Sequence, residues 1–409
     1  MAAVAGLRGT GDWGADERPK NFREMILWRN PNGTAPMFAF MARVQKESTD
    51  DPEFSWWDEP NELVRLTVNG ALGTGDTIVA VDSVDPSASA PKTHWGVASH
   101  LVPGDLLLVE PAADNATFNH EVIQVVSVIS DTQFTVKRGA SGTTAAVIAN
   151  DASLLKIGSA YAEGTASPKA ASRNPIKYFN YTQIFKTAYE LTGTAEQTRT
   201  RTGDPLQNDK RRKAFDHSRD IELALLFGQR SETTGANGKP VRTMNGLRKQ
   251  VGNVTVFSSA VTISTLLNAV SPVFDFDSAA GNSRVAFAGN TALNEINKVI
   301  QTDANSQIQW GGKIKQFGMD LRELVFPQGS LFIRTHPLLS RHALYQKSMF
   351  LIDFSTIRWR PMKARDTKFM DNIQAKDEDV RKGQWMTEGG LEVQGGGLTS
   401  AYLGNISAT

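Results

Sequence analysis

Cysteine is absent from this chain of 409 residues. Its absence excludes disulfide frameworks, thiolate catalysis and Cys-based zinc or iron–sulfur sites, and it suits folding in a reducing cytoplasm. Long hydrophobic runs are missing too. No stretch approaches the ~20 apolar residues that a membrane helix needs. Residues 1–15 carry one base, Arg8, and no apolar segment of signal length. An excess of either charge is also lacking, with 44 basic and 43 acidic side chains and a formal net charge of +1. That balance argues against a surface built throughout to hold nucleic acid. The chain is 40% hydrophobic and 21% charged, which excludes a disordered tail-like protein. One core would be oversized at this length, so two or more packed units are expected.

The usual catalytic signatures are missing as well. Gly70-Ala71-Leu72-Gly73-Thr74-Gly75 has neither a following helix nor a Lys-Ser/Thr pair, so it reads as turns and not as a phosphate loop. The six histidines, His94, His100, His120, His217, His336 and His342, show no metal-ligand spacing. The cluster Asp50, Asp51, Glu53, Trp56, Trp57, Asp58, Glu59 and Glu62 is the best enzyme candidate, as paired carboxylates beside stacking aromatics could act on a sugar. Its acids share one short segment, whereas glycosidase pairs face each other across a cleft. Anchoring tryptophans with solvated acids is the better reading. No catalytic residue, cofactor or metal is expected.

What the sequence does contain is organisation. Its first ~60 residues combine dense glycine and proline with Trp13, Phe22, Trp28, Phe38, Phe40, Phe54, Trp56 and Trp57. An extended arm must bury such aromatics against another part of the molecule or another copy of it. The alternative is a strand-and-loop edge of the same domain. Residues 64–159 hold short β-type runs between turn signals such as Asn69-Gly70 and Pro103-Gly104, which predicts a small barrel or sandwich. Over 66–159 this module has four bases against nine acids, a net of −5. A second aromatic run, Tyr178, Phe179, Tyr181, follows it, as if a domain had grown from the tip of a hairpin. Next, Asp204 as N-cap, Pro205 at the first position and Gly228 at the end predict one helix of about 23 residues. This helix carries the cluster Lys210, Arg211, Arg212, Lys213, within a region, 195–250, of net +5. Such a cluster reads as a phosphate contact or as an ordinary solvated face, and the wider charge favours the first. Beyond residue 240 the pattern is mixed α and β, with helices at 261–270 and 290–302. Strands are expected near 312–324, 330–334 and 352–359, and the C-terminus is β-rich.

This order of segments resembles the major capsid proteins of tailed bacteriophages, the Hong Kong 97 type fold, in the subgroup whose long hairpin loop carries an inserted β domain. Carrying the resemblance are Gly11-Asp12-Trp13-Gly14, the run from Phe54 to Pro60, Asp204-Pro205, the run from Trp385 to Gln394, and Ala401 to Ile406. It implies an α+β fold with an N-terminal arm (1–35) and an extended hairpin loop (36–63 and 160–200). An inserted all-β domain (64–159), a peripheral domain with a spine helix (201–240 and 360–409) and a mixed α/β axial domain (241–359) complete it. It implies no enzyme but a virion protein, assembled in the host bacterial cytoplasm, whose hexamers and pentamers close an icosahedral shell around double-stranded DNA. Trp13, Trp28, Phe54, Trp56, Trp57, Tyr178 and Phe179 would then make inter-subunit contacts, and Lys210, Arg211, Arg212 and Lys213 would face the DNA. Portal and possible scaffolding or decoration proteins are the other implied partners, with no membrane involved. Non-covalent assembly is expected, and Met1 argues against cleavage. Two alternatives from the same residues are an encapsulin-like shell protein, weighed against by segment 64–159, and a tail or baseplate protein with a glycan-binding β module.

Overall fold

A computed structural model describes residues 46–59, 64–82, 97–110, 121–168, 175–198, 200, 203–302, 309–316 and 319–407. The expectations for Trp13, Trp28 and the arm 1–35 lie outside these residues.

The two aromatic runs pair with each other. Strand Glu53–Asp58 runs antiparallel to Ile176–Tyr181, with Trp56 opposite Tyr178 and Trp57 opposite Lys177. Between them in sequence lies a six-stranded antiparallel sheet. Its strand order is Arg65–Thr67, Ser153–Ser159, Asp105–Val109, Val122–Ser130, Gln133–Ala140 and Ile78–Ala80. The two outer strands meet: Val68 bridges Val81, Asn69 donates to the Ala80 carbonyl at 2.9 Å, and Asp82 donates to that of Thr67 at 3.0 Å. Closure removes the exposed edges of the sheet and makes it a barrel. Leu66, Val68, Val79, Leu107, Ile123, Phe134 and Leu154 fill its interior, as the period of two along each strand requires. Arg138 and Glu121 form a buried two-point ion pair at 2.8 and 2.9 Å, and Arg138 also donates to the Gly73 carbonyl at 2.7 Å.

Strand Val380–Val393, 14 residues long, is the spine of the next sheet. Gln183–Thr192 pairs along its first ten residues, and Lys368–Met370 and Ile357–Pro361 pair on its other side. The long helix, Pro205–Phe227, packs on Gln183–Thr192. Asp204 caps it, accepting from the amides of Leu206 at 2.9 Å and Gln207 at 3.3 Å. Gly228 ends it, as expected, but without a left-handed turn. Its φ is −51°, but a Cβ there would lie 2.6 Å from the Met244 carbonyl oxygen, so glycine is needed for close approach.

A mixed seven-stranded sheet completes the fold. Its order is Asn253–Val256, Ala401–Gly404, Met349–Ile352, Ser283–Ala288, Gly329–Thr335, Met319–Phe326, Gln309–Gln316. Two of its pairings are parallel, 253–256 with 401–404 and 283–288 with 329–335. Helices Ile263–Val270 and Asn290–Thr302 cover one face, burying Leu266, Val270, Ala292 and Ile296 against Ala286, Leu331 and Leu403. The other face, with Phe287, Phe350 and Tyr402, clusters with Ile221, Leu225 and Leu226 of the long helix. Two expected strands divide. The 312–324 run is a hairpin of two strands, and the 352–359 run is broken because the Asp353 carboxylate turns back onto the amide of Ser355 at 3.0 Å.

Candidate functional site

Alternation along the ribbon sorts its aromatics. Phe54 and Trp56 point inward and are buried, while Trp57 points outward and is 61% exposed. Phe54 packs on Gly390, where a Cβ would lie 2.6 Å from its ring, and the Arg360 guanidinium sits 5.9 Å from the ring centre. Trp56 stacks between Phe54 and Tyr178, each 6.1 Å away. Phe179 is covered by the Arg230 guanidinium at 3.7 Å, a cation–π contact, and meets Tyr181 edge-on. Phe54 and Trp56 are thus consumed within the chain, because the inner face of the ribbon lies on Val380–Val393. Their rings are therefore already covered within a single copy of the chain. Trp57 alone of the ribbon tryptophans offers its ring to the outside.

The acids of the 50–62 cluster, among the described residues, are not paired across a cleft. Asp51 accepts from the Glu53 amide at 2.8 Å, and Asp58 accepts from Gly396 at 2.9 Å. Nor do the described residues include any group of three or more His, Cys, Asp or Glu that could hold a metal.

The basic cluster divides in the same way. Arg211 and Arg212 are exposed on the long helix, and Lys213 is half-buried. Lys210 turns inward instead. Its Nζ lies 3.0 Å from Asp371 and about equally over two rings, 5.5 Å from that of Tyr189 and 5.2 Å from that of Phe369. The Tyr189 hydroxyl donates to Asp371 at 2.5 Å, and Arg381 reaches the same carboxylate at 3.3 Å. These donors, the Tyr189 hydroxyl first, hold the Asp371 carboxyl well below the usual carboxylate range, while burial and then Asp371 push the Tyr189 phenol up. Of the four bases expected to face DNA, Lys210 is thus the one whose charge is answered by Asp371 within the chain.

Sequence reasoning missed two buried polar links made by the long helix. His217 lies between the hydroxyls of Thr187, 3.1 Å from Nδ1, and Thr387, 2.8 Å from Nε2. Glu222 and His336 meet at 2.7 Å with both side chains fully buried. The spacing of His217, Ile221 and Leu225 at four-residue steps was the available signal for the first.

The sequence profile of the family described as SU10 major capsid protein matches residues 6–397. The chain belongs to this family. It is 26% identical over 416 residues to the major capsid protein of Pseudomonas phage PaMx41, across 98% of this chain and 93% of that one. Among solved structures it is similar to the Cyanophage A-1(L) capsid asymmetric unit, with a TM-score of 0.47 and 8% identity over 96% of this chain and 98% of that one. An encapsulin complex from Synechococcus elongatus gives a TM-score of 0.41 and 11% identity over 58% of this chain and 77% of that one. The chain is a phage major capsid protein, a structural component of the virion and not an enzyme. This membership displaces the tail-protein and encapsulin readings. Among the described residues no helix is long and apolar enough to cross a membrane.

Proposed function

We propose that copies of this capsid chain associate as hexamers and pentamers and close an icosahedral shell around double-stranded DNA, through self-association and without catalysis. The observation that carries this reading is Trp57, a large aromatic 61% exposed on a ribbon whose opposite face is already buried. Exposed aromatics of this kind anchor protein interfaces. The division of labour follows the segment order. The arm (1–35) and the hairpin segments (36–63 and 160–200) reach neighbouring subunits, and the barrel (64–159) stands as a separate unit. The long helix stiffens the peripheral part (201–240 and 360–409), and 241–359 surrounds the symmetry axes. The shell interior is lined by the exposed Arg211 and Arg212, with Lys213, giving non-specific contact with packaged DNA. Portal, scaffolding or decoration proteins are the further partners of such a shell.

The test is Trp57→Ala in the full chain, examined by electron microscopy and light scattering. Closed particles or rings are expected from the parent and mainly unassembled chains from the variant. Normal shells from the variant reject Trp57 as the anchor. In the same particles, Arg211→Glu with Arg212→Glu should lower DNA content without stopping closure.

A further inference from the structure

The C-terminal turn Gly395-Gly396-Gly397 has three consecutive left-handed residues, with φ of +65°, +57° and +67°. Backbone of this kind turns successive amides towards one hollow, which accepts an anionic oxygen. Here the hollow is filled from within the chain. Gly396 donates to Asp58 Oδ2 at 2.9 Å, and the adjacent Gly395 amide also favours the charged carboxyl. We infer that Asp58 is the positioning residue of the aromatic ribbon, pinning it through this glycine nest.

The turn itself is fixed from behind. Gly252 donates to the Gly397 carbonyl at 3.0 Å, and a Cβ on Gly397 would lie 2.9 Å from the Val251 Cα. Side chains are thereby kept out of the turn, and its amides keep one direction. Asp58 ends the strand Glu53–Asp58 opposite Ile176, at the end from which both ribbon strands lead to the barrel. Phe54, Trp56 and Asp58 share the inner face, so the ribbon is held at points about 13 Å apart, four residues along a strand. The two aromatic contacts exclude water but tolerate small sliding. A hydrogen-bonded carboxyl does not, because its donors must stay near 2.9 Å and in line. Asp58 thus sets the register and tilt that point the adjacent Trp57 outward.

The charged and titratable neighbours agree with this role. Burial, first of all, pushes the Asp58 carboxyl above the ordinary carboxylate range, the nest amides oppose it, and the nearby Glu392 adds to the rise. Glu392 is itself answered by Arg360 and by Gln394 at 2.6 Å. The Tyr178 hydroxyl flanks the nest at Gly396. A neutral acceptor is therefore well suited to the site, which separates two substitutions. Asp58→Ala removes the acceptor and strands the nest amides. Asp58→Asn keeps an acceptor oxygen in place.

Amide hydrogen exchange on the full chain reads the difference. Asp58→Ala should speed exchange across 53–58 and 176–181 by about tenfold, the scale of one unmade buried hydrogen bond. The barrel strands 122–130 and 133–140 should not change, and Asp58→Asn should stay within about twofold of the parent. An unaltered ribbon in Asp58→Ala, or an Asp58→Asn as loose as Asp58→Ala, overturns the inference. Should Asp58→Ala yield no soluble chain, the parent decides: a Gly396 amide exchanging as fast as that of Gly142 rejects the nest. Protection of Gly396 well above Gly142 supports it.

Discussion

His217 shows how much a single buried side chain on the long helix can decide. Burial, above all, pushes its imidazole below the usual histidine range, against the opposing pull of Asp220. The ring is thus neutral in the fold, donating to one threonine hydroxyl and accepting from the other. Because the folded value lies below the unfolded one, near 6.5, the unfolded chain binds more protons as the pH falls through this range. The contribution of His217 is therefore complete above about pH 6.5 and is lost progressively below it. Exchange of the helix amides near 217–221 should accelerate between pH 7.5 and pH 5.5, after correction for intrinsic rates. His217→Gln should flatten that dependence. A variant with the same pH profile as the parent would place the titrating group elsewhere.

At the scale of elements, the long helix is the one most completely written in local sequence. An Asp-Pro start and a glycine stop bracket 23 residues, and the structure has the helix over Pro205–Phe227. Asp204→Ala should cost about 1 kcal/mol, or roughly fivefold faster opening of the first turn, by removing the acceptor for two amides. Local exchange at Leu206 and Gln207 measures it, and an unchanged rate would mean that Pro205 and packing alone hold the end. Helix Asn290–Thr302 was legible for similar reasons, its apolar residues recurring at helical spacing. The elements that went astray depend on remote contacts. The β-rich C-terminus forms one unbroken strand over Val380–Val393, because Gly389 and Gly390 stay extended beneath the rings of Trp359 and Phe54, residues distant in sequence. Lys210 was read with its neighbours because nothing local announces Asp371, 161 positions away. Likewise the ribbon aromatics could be recognised as needing burial, but which face finds a partner within the chain depends on the strand Val380–Val393. Asp58 and the glycine run 395–397 carry no joint signal at all until the fold brings them together.

For the whole molecule, charge is divided by region more than balanced. Bases exceed acids in 195–250, acids exceed bases in 66–159, and the total of +1 conceals both. A chain of this kind can present different potentials on different surfaces although its total stays near neutrality, so net charge alone does little to keep copies apart and the opposite regional charges can attract one another. The proposed shell makes a further demand, that some segments act only between copies. Removal of residues 1–35 should leave soluble capsomers or monomers that fail to close, as judged by electron microscopy and sedimentation. Closed particles of normal size from the truncated chain would take that role away from the arm.

The strand Ala401–Gly404 lies inside the seven-stranded sheet, between Asn253–Val256 and Met349–Ile352. Its parallel partner precedes it by almost 150 positions, as in the pairing of Asn253 with Ala401. During synthesis, at roughly 5–20 residues per second, the first of these strands must therefore wait on the order of ten seconds for the last. Until then the sheet has a gap where hydrogen bonds and a core layer belong. A prematurely terminated chain would keep that gap for good. A chain that stops before Ala401 should therefore fold with its seven-stranded sheet split between Asn253–Val256 and Met349–Ile352.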